Sequence, residues 1–150
     1  MARKAQIKDA EQIHKLISEY AEQETLLPVP LTEVYERLRD FWVCTEGDDV
    51  LACGALRIVW EDLAEVRSLA VRNYAGGRGY GREIVKCCIE EARQYGIPRV
   101  FALTYVPDFF SKLGFSSIAK ERLPHKIWLD CVKCAKFPNC DEQAIVIDLQ

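Results

Sequence analysis

The chain has 150 residues, of which 49% are apolar and 29% charged, a balance typical of a soluble globular protein. Its net charge of −3, with lysines and arginines scattered along the chain, argues against a nucleic-acid-binding surface, because phosphate binding requires clustered positive charge. No apolar run approaches the roughly 18 residues of a membrane helix, and the N-terminus lacks the apolar segment of a secretory signal, so we expect a cytoplasmic protein folded as one domain over residues 1–150.

The first half of the sequence predicts a short strand, two helices and three longer strands. A strand over residues 5–7 precedes a helix that Asp9 would cap, with Gln12 three residues later as its reciprocal partner. A second short helix is predicted over residues 32–39, after two helix-breaking prolines. The apolar face of the first helix is formed by Ile13, Leu16, Ile17, Tyr20 and Ala21. Strands are predicted over residues 41–45, 50–59 and 62–71.

The second half alternates helices and strands. A helix is predicted from about Arg82 to the stop signal at Gly96, and a shorter one from Pro107 to Gly114. The buried face of the longer helix is formed by Ile84, Val85, Cys88, Ile89, Ala92 and Tyr95. Strands are predicted over residues 100–103, 115–119 and 144–149, and an irregular, cysteine-containing insertion over residues 123–142. This order of elements predicts an α/β (α+β) protein, a mixed sheet with helices on both faces.

The segment of residues 67–82, RSLAVRNYAGGRGYGR, joins an apolar strand to a helix through a run of glycines. Glycine allows the chain to turn sharply and lets a ligand approach the backbone. The first amides of the following helix lack internal partners and carry a partial positive charge. A strand, a glycine turn and a helix start together predict a binding site for a diphosphate.

This segment resembles the nucleotide-binding motif of the GNAT superfamily of N-acetyltransferases, in which Arg or Gln is followed by two residues, Gly, one residue, and Gly or Ala. Here the motif falls on Gly76, Gly79 and Gly81, so that Gly76 replaces the usual Arg or Gln. Arg78, two residues away, could supply the missing charge. The resemblance extends by element order over nearly the whole chain, and it implies the GNAT fold, a mixed, mostly antiparallel sheet of six to seven strands with helices on both faces.

The resemblance also implies acetyl-coenzyme A as the co-substrate. Backbone groups of Leu69, Ala70 and Val71 would pair with its pantetheine arm as with an added strand. The amides of residues 77–82 would hold the pyrophosphate. The cofactor-binding residues expected in the motif are Gly76, Gly77, Arg78, Gly79, Tyr80, Gly81 and Arg82. The alternative is purely structural: residues 69–71 form a core strand, and the glycines form a tight turn.

A second similarity to the family lies in residues 109–115, FFSKLGF. Many members carry a tyrosine where Phe110 stands, and that tyrosine protonates the departing thiolate. Because Phe110 cannot donate a proton, either Tyr105 or a water serves instead, or the thiolate leaves without a dedicated acid. Tyr105 is alternatively a packing residue.

Acetyl transfer to an amine requires a base, because amines titrate at about 8 to 10. Glu65 lies on the strand leading into the glycine segment, where several members of the family place a base glutamate. Burial would raise its pKa from about 4.3 toward neutrality and so improve it as a base. The alternative is an ion pair with Arg67, on the same face of the strand. The amide of Leu69 would polarise the acetyl carbonyl, and since no cysteine has a recognisable base partner, we expect direct transfer.

The segment ALTYVPDFFSKLGF, followed by ERLPHK, resembles the acetyltransferase domain of the N-acetylglutamate synthase family. That resemblance implies glutamate as the acceptor and a role in arginine biosynthesis. A glutamate substrate needs cations for two carboxylates. Arg57, Arg67 and Lys126 are available by position, although each is alternatively a solvated surface charge.

His125, Cys131, Cys134 and Cys140 have a spacing that leaves two interpretations open. Three thiolates and one imidazole would complete a tetrahedral zinc site, whereas free thiols are also common on irregular chain. We therefore assign no metal ligand. The remaining cysteines, interpreted as small core residues, are Cys44, Cys53, Cys87 and Cys88.

The sequence thus predicts an N-acetyltransferase that moves the acetyl group of acetyl-coenzyme A directly to a primary amine, preferably the α-amine of glutamate. The alternatives are a GNAT enzyme that acts on another small amine or on a protein lysine, and a non-catalytic acyl-coenzyme A-binding module. We expect a small-molecule partner, no nucleic acid and no membrane, and we leave a homodimer open.

Overall fold

The computed structural model describes residues 2–123 and 142–149. Within those residues the chain forms seven β-strands and four α-helices, in the predicted order β-α-α-β-β-β-α-β-α-β-β. The strands are β1 (Ala2–Lys4), β2 (Phe41–Glu46), β3 (Asp49–Trp60), β4 (Leu63–Val71), β5 (Arg99–Thr104), β6 (Ser116–Ile118) and β7 (Gln143–Asp148). The helices are α1 (Ala10–Glu22), α2 (Leu31–Glu36), α3 (Tyr80–Gln94) and α4 (Pro107–Ser111). The predicted insertion lies almost wholly outside the described residues.

The strands form one sheet in the order β1-β2-β3-β4-β5-β7-β6. Among the described strands, β4 and β5 are the only parallel neighbours, and all other neighbours are antiparallel. Helix α3 packs on one face of the sheet, and α1 with α2 packs on the other. The predicted fold class, a mixed and mostly antiparallel sheet with helices on both faces, is confirmed. No helix in the described part of the chain combines the length and apolarity needed to cross a bilayer.

Helix α3 follows the apolar spacing read from the sequence. Its buried side chains recur every three or four residues and pack against β3 and β4, and each fully buried aliphatic side chain contributes about 1.5–3 kcal/mol. The buried apolar side chains are Ile84, Val85, Cys88, Ile89 and Ala92. Tyr95 was predicted on this face and is instead 63% exposed. The helix ends at Gln94, and the chain turns away at Gly96, where φ is +76°.

The start of the chain corrects two predictions. The first strand is Ala2–Lys4 rather than residues 5–7, because that stretch pairs with β2, and Ile7 lies 67% exposed in a 3₁₀ turn. Asp9 does not cap α1 with its side chain. Its carboxylate instead accepts hydrogen bonds from the Gln6 amide at 2.8 Å and from the Arg3 guanidinium at 2.8 and 3.1 Å.

Two further local predictions differ from the structure for similar reasons. Gln12, predicted as the capping partner of Asp9, binds the next hairpin instead, where its side chain donates to the Asp48 carbonyl and accepts from the Val50 amide. The helix predicted over residues 32–39 is divided into α2 and a 3₁₀ turn at Leu38–Asp40. For Gln12, a tertiary contact outweighs the local pattern.

Candidate active site

Strands β4 and β5 are held together at one end only. Their parallel ladder contains two pairs, Ala64 with Val100 and Glu65 with Phe101. The other edge of β5 pairs with β7 along its whole length. Beyond Glu65, the edge of β4 that faces β5 has no strand partner among the described residues. Such an edge offers backbone N–H and C=O groups to an extended segment that enters it.

A bulge in β4 lies beside this open edge. Between Arg67 and Ala70 the register with β3 shifts by one residue, so that Ser68 and Leu69 together oppose Gly54. Ser68 has φ +57°, in the left-handed region that residues with a side chain rarely adopt. Bulges redirect the backbone groups that follow them, and backbone strain of this kind clusters at functional sites.

Beyond the bulge, alternate residues of β4 direct their backbone groups to the open edge. There the Tyr20 hydroxyl donates to the Val71 carbonyl at 2.6 Å and accepts from the Val71 N–H at 3.2 Å. The N–H of Arg72 donates to β3 instead. Because N–H and C=O groups alternate in direction along a strand, Leu69 has the orientation of Val71, and Ala70 has that of Arg72.

The glycine segment forms a cradle at the start of α3. Gly77 and Gly79 have φ +82° and +81°, a conformation that favours glycine. Among the described residues, no carbonyl accepts the backbone N–H groups of residues 77–82, and the N–H of Glu83 is the first with such a partner, the Gly79 carbonyl at 3.0 Å. No side chain caps this end of the helix. These N–H groups and the positive end of the helix dipole fit a diphosphate.

Arg78 is directed to the surface beside this cradle. Its guanidinium lies 3.8 Å from the carboxylate of Glu46, and both side chains are at least half exposed. Gly76 has φ −63° and ψ 147°, an extended conformation that any residue can adopt. In this arrangement the groups of the cradle that could bind an anion are main-chain N–H groups.

The paired phenylalanines have different surroundings. Phe110 is buried and makes edge-to-face contacts with Phe109 and Phe115, at ring-centroid distances of 5.0 and 5.2 Å. Phe109 is half-buried and lies against the start of α3, where a Cβ on Gly81 would stand 3.4 Å from its ring. Tyr105 is half-buried and follows directly after β5. The residue in the position of the family's tyrosine is therefore part of the core.

Glu65 lies where β4 and β5 separate. Its Oε1 is 3.8 Å from Nη1 of Arg67, and the two side chains are only 13% and 16% exposed. The ion pair considered as an alternative from the sequence is thus present. Both charged groups of this ion pair, the Glu65 carboxylate and the Arg67 guanidinium, belong to residues within three positions of Ser68 in the bulge.

A small cleft lies on the face of the sheet that carries α1 and α2. Two of the predicted acceptor-binding cations, Arg57 and Arg67, line it together, and Lys126 lies outside the described residues. Arg37 also lines the cleft, and no sequence motif marks it. The remaining lining residues are Val29, Glu33, Asp40, Phe41, Ala55 and Ser68. Through Ser68 the cleft meets the bulge of β4.

Asp40 is an acidic side chain of this cleft whose ionisation is opposed by burial. Burial raises its pKa above the ordinary aspartate value, and the positive charges of Arg37, Lys4 and Arg57 offset that effect only in part. Its carboxylate lies 3.9 Å from the Arg37 guanidinium. The cleft therefore combines three arginines with two carboxylates, Glu33 and Asp40, and burial raises the pKa of Asp40.

The described cysteines are poor nucleophiles. Cys44, Cys53 and Cys88 are buried and Cys87 is half-buried. Burial raises the pKa of the Cys44 thiol to about 11 and that of Cys53 to about 12, and it also raises the pKa of Cys88. Since the thiolate is the reactive form, these side chains are suited to packing. The four candidate zinc ligands lie outside the described residues: His125, Cys131, Cys134 and Cys140. Within the described residues, no group of three side chains could hold a metal ion.

Comparison with known proteins identifies relatives of this chain. The model of the acetyltransferase (GNAT) family matches residues 8–115. An uncharacterised N-acetyltransferase of Chlorobaculum tepidum is 36% identical over 144 residues, which cover 96% of this chain and 93% of that protein. An amino-acid acetyltransferase of Mycobacterium tuberculosis is 37% identical over 121 residues, which cover 79% of this chain and 69% of that protein.

Solved structures give the same result. A Mycobacterium tuberculosis protein in complex with CoA superposes with a TM-score of 0.85 and 30% identity, over 100% of this chain and 99% of that one. The N-acetylglutamate synthase of Neisseria gonorrhoeae, complexed with coenzyme A and N-acetyl-glutamate, superposes with a TM-score of 0.90 and 26% identity. This chain spans only 35% of the Neisseria protein. The fold, the family model and the relatives agree that the chain belongs to the acetyltransferase (GNAT) family.

Proposed function

We propose that this acetyltransferase moves the acetyl group of acetyl-coenzyme A to the α-amine of glutamate or a closely related acidic amino acid. The observation that carries the proposal is the meeting of two features at one bulge. Leu69 directs its backbone to the open edge of β4, and the adjacent Ser68 lines the cleft that contains Arg57 and Arg67. Donor and acceptor would therefore meet at Ser68 and Leu69, and holding them together supplies much of the rate enhancement.

The donor is acetyl-coenzyme A. Its pyrophosphate would bind the N–H groups of residues 77–82, and its pantetheine arm would pair with the open edge of β4. The orientation of the strand favours Leu69 and Val71 over Ala70 for that pairing. The same pairing would bring the thioester to the bulge, where the Leu69 N–H would polarise the acetyl carbonyl and stabilise the negative charge that develops on its oxygen.

Proton transfer is assigned to Glu65. Its mostly buried carboxylate stands at the point where β4 and β5 part, next to the bulge. From there it would take the proton of the amine, directly or through a water. A thiol has a pKa of about 8.5, so the coenzyme A thiolate is a moderate leaving group. Departure without a dedicated acid is therefore consistent with the buried Phe110, and direct transfer is consistent with the raised pKa values of the cysteines.

The acceptor assignment depends on charge. Glutamate carries two carboxylates, and Arg57, Arg67 and Arg37 provide guanidinium groups that can bind carboxylates through two parallel hydrogen bonds. The lining carries these three guanidinium groups against the two carboxylates of Glu33 and Asp40, a balance that favours an anionic acceptor over a polyamine. The similarity to an amino-acid acetyltransferase and to an N-acetylglutamate synthase supports this choice. A cytoplasmic role in arginine biosynthesis follows from the assignment and is proposed with it.

The test is a panel of acceptors. Purified protein is incubated with acetyl-coenzyme A and with glutamate, glutamine, aspartate, lysine or spermidine, and the release of free thiol is followed. We expect glutamate to give the highest kcat/KM. Fastest turnover with lysine or spermidine would favour the alternative of another amine acceptor. Thermal stabilisation by acetyl-coenzyme A without thiol release for any acceptor would favour a non-catalytic binding module.

A matched pair of variants tests the arginine cleft. Arg57→Gln removes a lining guanidinium, and we expect the KM for glutamate to rise about tenfold or more, because a hydrogen bond to a charged group is lost. The KM for acetyl-coenzyme A should stay the same. Arg39→Gln is the control, since Arg39 is exposed and does not line the cleft. Equal glutamate KM values for the two variants would remove Arg57 from the acceptor site.

A further inference from the structure

The hydroxyl of Tyr20 makes two hydrogen bonds to a single residue of the open strand edge. It donates to the Val71 carbonyl at 2.6 Å and accepts from the Val71 N–H at 3.2 Å. Both bonds join α1 to β4 across 51 positions of sequence. Tyr20 lies on the apolar face of α1 and is half-buried against the core on that side of the sheet. A side chain that the sequence predicts as packing thus carries a polar group into the donor site.

These two hydrogen bonds engage the N–H and the C=O of Val71, the groups with which an added strand would pair. A strand residue pairs with its neighbour through its N–H and its C=O together, and one hydroxyl can satisfy both because it is donor and acceptor. While Tyr20 holds Val71, the pantetheine arm cannot make the same two bonds. The hydroxyl therefore competes for one of the two residues of β4 whose backbone groups are directed to the open edge beyond the bulge.

The backbone of Tyr20 is firmly anchored. Its carbonyl accepts hydrogen bonds from the N–H groups of Gln23 and Thr25, both at 3.1 Å, and from the Thr25 hydroxyl at 2.9 Å. Glu24 lies between these two residues, two positions beyond the end of α1, and has φ +60°. Because these bonds fix the main chain, withdrawal of the hydroxyl from Val71 is a rotation of the Tyr20 side chain and leaves α1 in place.

We propose that Tyr20 is a displaceable partner of the open edge of β4. Its hydroxyl pairs with Val71 in the free protein and withdraws when the pantetheine arm of coenzyme A binds to that edge. The proposal rests on the donor site described under the proposed function. Tyr20 is then a positioning residue that keeps the end of β4 in its strand conformation and lowers the apparent affinity for the donor. The diphosphate cradle, which binds a different part of the ligand, is unaffected.

Two ligands distinguish binding of the pantetheine arm at the open edge of β4 from binding of the diphosphate at the cradle. Dissociation constants are measured by calorimetry for coenzyme A and for 3′-phosphoadenosine 5′-diphosphate, which keeps the diphosphate and lacks the arm. In Tyr20→Phe the competing bonds are lost, so we expect coenzyme A to bind about three- to tenfold more tightly, with binding of the shorter ligand unchanged. Tyr95→Phe is the control, because Tyr95 is exposed at the far end of α3.

The wild-type protein provides a second readout that does not require the variant to fold. In ¹³C-tyrosine-labelled protein, the Cζ resonance of Tyr20 should shift on addition of coenzyme A and stay in place on addition of 3′-phosphoadenosine 5′-diphosphate. Unchanged or weaker coenzyme A binding by a folded Tyr20→Phe, or a Cζ resonance that coenzyme A does not move, would overturn the proposal. Failure of the wild type to bind coenzyme A at all would instead overturn the proposed function.

Discussion

Gly54 faces Leu69 across the β3–β4 ladder with no space left for a side chain. A Cβ on Gly54 would stand 3.1 Å from Cδ1 of Leu69 and 2.7 Å from Cγ2 of Ile84. Ile84 is a fully buried residue of α3, and its branched side chain has little room to move in the packed core. The bulge of β4 and the helix that carries the cradle are thus packed against each other through a residue without a side chain.

Gly54→Ala should damage both stability and donor binding. Overpacking at a buried site costs about 1–3 kcal/mol, and relief of the clash must displace Leu69 or α3. We expect a lower free energy of unfolding, measured by urea denaturation, and weaker coenzyme A binding. Gly76→Ala is the matched control, since its added Cβ would lie at an ordinary 3.5 Å from the Asn73 carbonyl. A Gly54→Ala protein with wild-type stability would contradict this packing argument.

The cradle was predictable from sequence because its geometry is local. A strand, a glycine run and a helix start follow one another in the chain, and the positive φ values at Gly77 and Gly79 are of the kind that glycine signals. The element order was predictable for the same reason, as were the two apolar helix faces apart from Tyr95, which is exposed. Asp9 and Gln12 were predicted wrongly because both bind partners that the local pattern does not contain.

The bulge and the cleft depend on contacts between distant segments, which explains why the sequence did not reveal them. Ser68 adopts a left-handed φ without being glycine, and it lies in the bulge opposite Gly54 on the neighbouring strand. Arg37 lines the cleft from the junction between α2 and the 3₁₀ turn that follows it. Tyr20 has the spacing of a core residue, and its hydroxyl finds Val71 through the packing of α1 on β4. No local signal marks any of these residues.

Two glycines of the cradle should respond differently to the same substitution. Gly79→Ala places a side chain at φ +81°, which costs about 1–2 kcal/mol, and its Cβ would project into open space beside the unpaired N–H groups. We expect coenzyme A binding to weaken about tenfold or more. In Gly81→Ala the Cβ would meet Phe109 and Val71 at ordinary distances of 3.4 and 3.6 Å. That variant should bind coenzyme A as the wild type does, and equal losses in both would refute the distinction.

Gly76→Arg should strengthen donor binding. Gly76 has an extended backbone conformation that accepts any side chain. The nucleotide-binding motif of the GNAT superfamily carries Arg or Gln at this position. A guanidinium beside the diphosphate adds a charge-assisted hydrogen bond, so we expect affinity for coenzyme A to rise about threefold to tenfold. The gain should shrink at high salt. Gly76→Ala again serves as the control, and an unchanged dissociation constant for Gly76→Arg would show that the new side chain does not reach the ligand.

Glu65→Gln tests the proposed base. The substitution keeps the shape of the side chain and removes its charge, so we expect kcat to fall about a hundredfold while the KM for acetyl-coenzyme A is retained. The acidic limb of the pH–rate profile should disappear. Glu61→Gln, at an exposed position in the β3–β4 turn, is the control. If Glu65 only pairs with Arg67, the variant will lose stability or acceptor affinity and keep the wild-type pH profile.

Asp40→Asn should raise the free energy of unfolding relative to the wild type as the pH rises, and it should also raise the affinity for glutamate. Burial raises the pKa of Asp40 despite Arg37, Lys4 and Arg57, so between the ordinary aspartate pKa of about 3.9 and the raised value the folded state binds more protons than the unfolded state. The stability of the wild type therefore falls as the pH rises through that window. The variant has no such group, so its stability relative to the wild type should increase through the window and stay constant at neutral pH.

The loss of the ion pair between Arg37 and Asp40 should cost little, because the two groups are 3.9 Å apart and partly exposed. With the aspartate charge removed, the cleft is more positive, and we expect the KM for glutamate to fall severalfold at pH 7. Urea denaturation at pH 3.5, 5 and 7 measures the first effect, and initial rates measure the second. Asp48→Asn is the control, since the Asp48 side chain is 95% exposed. A stability difference between Asp40→Asn and the wild type that is the same at all three pH values would mean that Asp40 ionises as freely in the folded chain as in the unfolded one.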